Sequence, residues 1–311
     1  MSQSTRPCGK GTSYENKRAI GEPNGLIREN EGTPLNYKMT ISYDGSRYLG
    51  WQRQKGSDQT IQGKIEAVIS RLFDNDIEII GSGRTDAGVH AKGQVANFIV
   101  DSIDLKSNKL KGRLADAGIP LEIINSIESP STDLSKVWQK YINHYLPDDI
   151  SIVSMEEVDE RFHSRYLVKK KHYRYSILNS DISDVFDRKY VFQLDDHLDI
   201  ELMRKASECF VGEHDFAAFT SLKNNKKSTV RLVTDIKITE AEVPGGRRID
   251  LDFEGEGFLY NMVRIMVGTL VEVGKKDRTP ESVKDVLSQK IREKAGFMAP
   301  AKGLCLMKVE Y

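Results

Sequence analysis

The segment Gly81-Ser82-Gly83-Arg84-Thr85-Asp86-Ala87-Gly88-Val89-His90 gathers a carboxylate, a guanidinium, two hydroxyls and an imidazole on a glycine-rich frame. Two common glycine-rich loops are excluded by the residue types at their fixed positions. A dinucleotide fingerprint requires a third glycine where Asp86 stands, and a phosphate loop requires Lys and then Ser or Thr where Val89 and His90 stand. The plain reading is a tight turn whose glycines supply positive φ and whose Asp86 caps it. The chemical reading is that Arg84 and local donors hold Asp86 ionised, as a nucleophile or general base. Asp86 has no second carboxylate close by, which argues against paired-carboxylate glycoside hydrolysis. His90 has no Cys or His at ligand spacing and reads as a structural hydrogen-bonder rather than a metal ligand.

Two further segments carry charge in unusual settings. From Arg161 to Tyr175 the chain holds Arg161, Arg165, Lys169, Lys170, Lys171 and Arg174 with no acid among them. Such a run is commonly a solvated face, but interleaving with Tyr166, Tyr173 and Tyr175 on a strand-like alternation suits RNA, whose bases stack on aromatic rings. Tyr173 by itself also reads as a strand core residue. Arg264 lies inside an apolar helical pattern, where an unpaired guanidinium would be very costly. An anion is therefore expected beside it, with Asp86 the natural candidate.

The elements that must position these groups are legible from periodicity. A tail over 1–35 precedes an alternating strand, Tyr37 to Tyr43, which ends at the turn Asp44-Gly45. Thr60 to Phe73 has helical spacing; strands follow at Ile77 to Ile80 and Gln94 to Val100, flanking the glycine-rich loop. Residues 101–135 read as an insertion with at most one short helix. Asp133 to Tyr145 is helical, capped by Asp133 or Ser135 and closed by Pro147. The second half repeats this grammar, with strands at Ile150 to Val158 and Lys171 to Leu178 and a helix at Asp199 to Val211. Thr229 to Ala241 and Arg248 to Glu254 form a strand pair around Pro244-Gly245-Gly246. Helices at Phe258 to Val273 and Pro280 to Gln289 and a strand at Gly303 to Tyr311 complete it. The pattern predicts an α+β chain of two α/β lobes, 36–148 and 149–311, sharing a central cleft.

Composition bounds the remaining possibilities. The 311 residues carry 46 Lys plus Arg against 46 Asp plus Glu, with 39% hydrophobic and 30% charged residues. That balance supports a sizeable core and excludes wholesale disorder. Zero net charge does not exclude a nucleic-acid partner, since binding depends on where charge sits. The longest apolar run, Met262 to Val273, is broken by Arg264, Gly268 and Glu272, so no membrane span is expected. The N-terminus lacks a signal peptide's apolar core, and Cys8, Cys209 and Cys305 are too scattered for a disulfide framework or zinc site. A cytoplasmic chain is expected.

The segment Gly83 to His90 resembles the signature of the TruA family of tRNA pseudouridine synthases. The resemblance continues in Tyr43-Asp44-Gly45 with Gly50-Trp51-Gln52-Arg53-Gln54, in Phe162-His163-Ser164-Arg165, and in Lys171-His172-Tyr173-Arg174-Tyr175. It extends through Gly257-Phe258-Leu259, Met262-Val263-Arg264, Gly268-Thr269-Leu270 and Ala299-Pro300-Ala301-Lys302-Gly303-Leu304, in order over about 37 to 311. It implies ferredoxin-like or RRM-like halves forming a mixed, mainly antiparallel sheet with an RNA-binding cleft. It implies isomerisation of uridine to pseudouridine on the 3′ side of the tRNA anticodon stem-loop, by a homodimer, without metal, nucleotide or other cofactor. By the same resemblance Asp86 is the nucleophile, Tyr173 packs on the base, and Arg264 pairs with the aspartate. Arg84, Arg47, Gln52, His90 and Arg165 are expected to touch substrate. Arg47, Arg53 and Lys169 to Lys171 are expected phosphate contacts, and Asn224-Asn225-Lys226-Lys227 is an expected closing loop. The chain departs from the pattern at Ser164 and Val168, where alanines are usual, in the length of 101–135, and in its tail. Those departures leave open a paralogue with another RNA target, or an RNA-binding or tRNA-folding module with little catalysis.

Overall fold

The computed structural model describes residues 34–101, 103–221 and 228–311. Most of the expected tail and the Asn224–Lys227 loop lie outside the described residues. Ten strands form one sheet: β1 Leu35–Tyr43, β2 Ile80–Gly81, β3 His90–Val100, β4 Ile150–Val158, β5 Lys170–Ser180, β6 Phe192–Leu194, β7 Gly212–Asp215, β8 Val230–Val243, β9 Gly246–Gly255 and β10 Leu304–Glu310. The order is β4-β1-β3-β10-β5-β9-β8-β7, with β2 on β3 and β6 on β5. Pairing is antiparallel except for β10 with β3 and β5 with β6. The sheet is thus mixed and mainly antiparallel, and the chain is α+β. The last strand, β10, joins the two parts by lying between β3 and β5, while β4 pairs with β1.

Alternation sets one face of the sheet. Tyr37, Met39, Ile41 and Tyr43 on β1, Tyr173, Tyr175 and Ile177 on β5, and Ile249, Leu251 and Phe253 on β9 are all buried. Helix α1 (Ile61–Phe73) is capped by Thr60, whose side chain accepts from Gly63 N, and α4 (Leu134–Tyr145) by Asp133, which accepts from Lys136 N. These two helices cover the β4-β1-β3 end, where Trp138 Nε1 donates to Tyr37 Oη at 3.3 Å. At the other end lie α5 (Ile200–Glu208), capped by Asp199, and α6 (Met262–Gly274), whose residues are almost all buried. Helix α7 (Ser282–Gln289) completes that end.

Several expectations are corrected. The 101–135 segment holds two helices, α2 (Asn108–Asp116) and α3 (Leu121–Ser126), not at most one. Each buries only a narrow stripe (Leu110, Leu114, Ile124), so the sequence looks polar. Arg113 clamps α2 to the end of α1, reaching Leu72 O at 3.1 Å and Asp74 at 2.7 Å. The strand expected over Ile77 to Ile80 shrinks to β2, because side chains of α1 take the backbone groups before it. Ile77 N bonds Ser70 Oγ, Ile79 N bonds Glu66 Oε1, and Ile79 O accepts from Gln62. The helix expected from Phe258 begins only at Met262, after Asn261 in the left-handed region at φ 61°. Residues 161–169 turn rather than run extended; the strand begins at Lys170. β6 and β7 were not foreseen, being three and four residues long and too short for periodicity.

Candidate active site

The loop from Gly81 to Gly88 is held at four of its backbone carbonyls. Lys171 Nζ donates to Ser82 O at 2.9 Å, Gln94 Nε2 to Gly83 O at 3.0 Å, Trp51 N to Thr85 O at 3.0 Å and Val89 N to Asp86 O at 3.1 Å. Only Gly88 among its glycines has positive φ, at 78°. Gly81 is there for space: a Cβ would sit 2.6 Å from the Trp51 indole nitrogen. Thr85 Oγ1 meets Tyr43 Oη at 2.7 Å inside the core. The loop is therefore rigid without help from the Asp86 side chain, which caps nothing.

Asp86 projects into a cavity of about 480 Å³. Among the described residues its carboxylate accepts no hydrogen bond, and its nearest cation is Arg264, 3.8 Å from Nη1 to Oδ2. Burial pushes its pKa up, and the Arg264 charge opposes that without cancelling it. The expected contact with Arg84 is absent; Arg84 Nε donates instead to Gln52 Oε1 at 3.0 Å. Arg264 is aimed by its neighbours, with Nε on Ala299 O at 2.7 Å and Nη1 on Asn261 Oδ1 at 3.0 Å. The buried anion that Arg264 called for is thus Asp86, although carbonyl and amide oxygens satisfy part of the guanidinium.

Tyr173 stands on the cavity wall between Leu306 of β10 and Phe253 of β9, edge-on to Phe258 with centroids 5.3 Å apart. Its hydroxyl has no hydrogen-bond partner among the described residues. Burial first, and then the Asp86 charge, drive its pKa upward, so it stays protonated at neutral pH. Arg84 and Arg165 also line the cavity.

Other expected contacts lie elsewhere. His90 is buried, with Gly45 N–H donating to Nδ1 and Lys189 O opposite Nε2, both at 3.1 Å. That leaves it a structural residue and not a wall of the Asp86 cavity. Arg47 bonds Tyr48 Oη and Asp149, and Arg53 pairs with Glu66 at 3.1 Å. Gln52 sits behind Arg84, bonded to Gln62. In the lysine run only Lys169 is exposed and free of a side-chain partner among the described residues. Lys170 pairs with Glu254 and Lys171 turns inward to Ser82. Tyr175 is core, donating to Pro300 O, while Tyr166 is 77% exposed and off the strand. At Ser164 the departure from alanine leaves a buried hydroxyl without a hydrogen bond.

Sequence reasoning missed Arg231 and Asn261, both on the cavity wall. Asn immediately before an apolar helix was a readable signal for Asn261. Arg231 is one charge in an alternating strand, and nothing local marked it.

A family model described as tRNA pseudouridine synthase matches residues 39–167 and 206–311. The chain belongs to the tRNA pseudouridine synthase family. The match runs unbroken across 101–135 and includes Asp86, Asn261 and Arg264, while Tyr173 and Lys171 fall in the unmatched stretch between its two parts. The chain is 45% identical to tRNA pseudouridine synthase A of Bacillus sp. (strain KSM-64) over 277 residues, 89% of this chain and 99% of that one. It is 42% identical to tRNA pseudouridine synthase A 2 of Bacillus anthracis and 41% identical to tRNA pseudouridine synthase A 1 of Clostridium tetani, each over 89% of this chain and 99% of the relative. A chain of a solved Cbf5-Nop10-Gar1 complex aligns at a TM-score of 0.31 and 11% identity, over 87% of this chain and 49% of that one, a likeness too slight to bear on the fold. No helix among the described residues of this synthase-family chain is long and apolar enough to cross a membrane.

Proposed function

We propose that this protein converts uridine to pseudouridine on the 3′ side of the anticodon stem-loop of tRNA, with Asp86 as nucleophile. The observation that carries this reading is one cavity lined by Asp86 and Tyr173, with the Arg264 guanidinium 3.8 Å from the Asp86 carboxylate. The target uridine must first leave its stack, at a cost of a few kcal/mol that phosphate contacts can offset. Asp86 then drives cleavage of the bond between N1 and C1′. The freed uracil turns, C5 bonds to C1′, and C5 gives up its proton while N1 ends protonated. Atoms and electrons balance within the uridine, so the reaction asks for neither a redox partner nor a nucleotide. Tyr173 packs on the base as it turns, and its hydroxyl, held protonated by burial, passes a proton. Arg264 opposes the burial that raises the Asp86 pKa and so favours the ionised nucleophile.

The protein works in the cytoplasm on tRNA, as a homodimer. Support for the dimer is the loop that leaves β5, where Ile182, Val185, Phe186 and Tyr190 are exposed, Phe186 at 86%. The loop is pinned from behind by His90 and by an ion pair of Arg248 with Asp187, so these side chains are presented to a partner at little ordering cost.

The test uses purified protein and unmodified tRNA transcripts, with carbodiimide-dependent primer-extension stops as the readout. New stops on the 3′ side of the anticodon stem-loop are expected. Stops only elsewhere would refute the assigned target, and tight binding without stops would favour an RNA-binding module on this scaffold.

A further inference from the structure

Lys171 is a cation without a counter-ion. Its side chain is half-buried at the foot of the Asp86 loop, where it makes one hydrogen bond, to Ser82 O at 2.9 Å. An ammonium has three N–H donors, and among the described residues the other two find no partner. Among the described residues no carboxylate pairs with it: Glu254 is taken by Lys170 and Glu310 by Lys308. The one charge that bears on it electrostatically is another cation, Arg165, whose guanidinium has no partner among the described residues and which lines the Asp86 cavity. Burial, and then Arg165, push the Lys171 amino group down to about 8, as expected for a cation short of compensation.

Lys171 on the Ser82–Gly83 end of the loop and Arg165 on the cavity that Arg84 to Asp86 line are two uncompensated cations flanking one loop, a site that is incomplete without an anion. We infer that Lys171 and Arg165 together hold one backbone phosphodiester of the RNA strand that carries the target uridine, at the lip of the Asp86 cavity. This inference rests on the proposed pseudouridine synthase reading and adds a defined phosphate subsite to it. The exposed Arg165 meets the phosphate first, and Lys171 supplies the inner contact. Gly83 makes the room, because a Cβ there would lie 2.5 Å from Lys171 Nζ. Since the same ammonium holds Ser82 O, phosphate capture and the seating of the Asp86 loop share one group. Lys171 is a positioning residue in this scheme and touches no reacting atom.

The experiment measures binding of anticodon stem-loop RNAs, each with a single neutral methylphosphonate linkage, to wild type, Lys171→Met, Lys171→Arg and Arg165→Gln. Wild type should lose about tenfold in affinity at one linkage near the target uridine, and Lys171→Met and Arg165→Gln less than about twofold at that same linkage. Both variants should also lower the slope of log affinity against log salt by about one, and Lys171→Arg should restore it. Melting curves establish folding, and Arg165→Gln, at an exposed position, tests the site even if Lys171→Met does not fold. Wild type that modifies the stem-loop, with variants keeping its salt slope and linkage profile, would overturn this subsite alone. Wild type that neither binds nor modifies the stem-loop would overturn the parent reading as well.

Discussion

Arg264 Nη1 lies 3.8 Å from Asp86 Oδ2 while the guanidinium spends its hydrogen bonds on Asn261 Oδ1 and Ala299 O. It therefore acts on Asp86 through its field rather than by clamping an oxygen, and the carboxylate lone pairs stay open towards the cavity. A clamped carboxylate would be more acidic and less nucleophilic. An unsupported one would have its pKa raised further by burial.

The pH dependence of turnover follows. Asp86 must be ionised to attack, and burial raises its pKa above the ordinary carboxylate value. The acid limb of kcat should therefore lie above the pH at which an exposed Asp titrates. Arg264→Met removes the one opposing cation, so that limb should move to higher pH, with kcat at neutral pH lowered by about 100-fold or more. A pH–rate profile checks both; an unmoved limb would remove Arg264 from its assigned role.

Stability should respond in the opposite sense. A carboxyl whose folded pKa is raised contributes stability below its unfolded pKa and loses it as pH rises through the folded one. At neutral pH Asp86 is thus a net liability to the fold. Asp86→Asn keeps the shape without the charge, so it should raise Tm at neutral pH, gain little under acid, and abolish turnover. RNA affinity should stay within a few fold. Thermal melts at two pH values, beside a turnover assay, read this directly.

The same physics explains what was legible in the sequence. Asp86 and Arg264 could be paired on paper because a guanidinium in an apolar helix demands an anion. The strands β1 and β9 alternate because one face is core. Lys171 could not be told from Lys169 and Lys170, since three adjacent lysines look alike until the strand starts at Lys170 and sends each to a different neighbour. His90 misled because its motif neighbours line the cavity while its own ring anchors the loop after β5. The stretch before β2 misled because its backbone groups bond to Ser70, Glu66 and Gln62 of a helix rather than to a strand.

Tyr173→Phe separates packing from proton transfer. The hydroxyl has no hydrogen-bond partner among the described residues, so its loss should change stability by less than about 0.5 kcal/mol. The ring and its contact with Phe258 remain, so RNA affinity should hold. If the hydroxyl passes a proton, kcat should fall by about 100-fold. A kcat near that of wild type would leave Tyr173 as a stacking surface only.

The helices of the 101–135 segment make a contrasting prediction, because they touch the core but not the cavity. Leu114 of α2 is fully buried, and Arg113 beside it fastens the helix to the end of α1. Leu114→Ala should cost about 2–5 kcal/mol of unfolding free energy, the usual range for emptying a buried leucine site. Neither residue lines the Asp86 cavity. Turnover below the new melting transition should therefore match wild type. Denaturant unfolding with kcat measured at a temperature where both proteins are folded checks this. A variant of normal stability would show that α2 is not a structural cover, whereas a variant that loses turnover while folded would make the segment part of the RNA site.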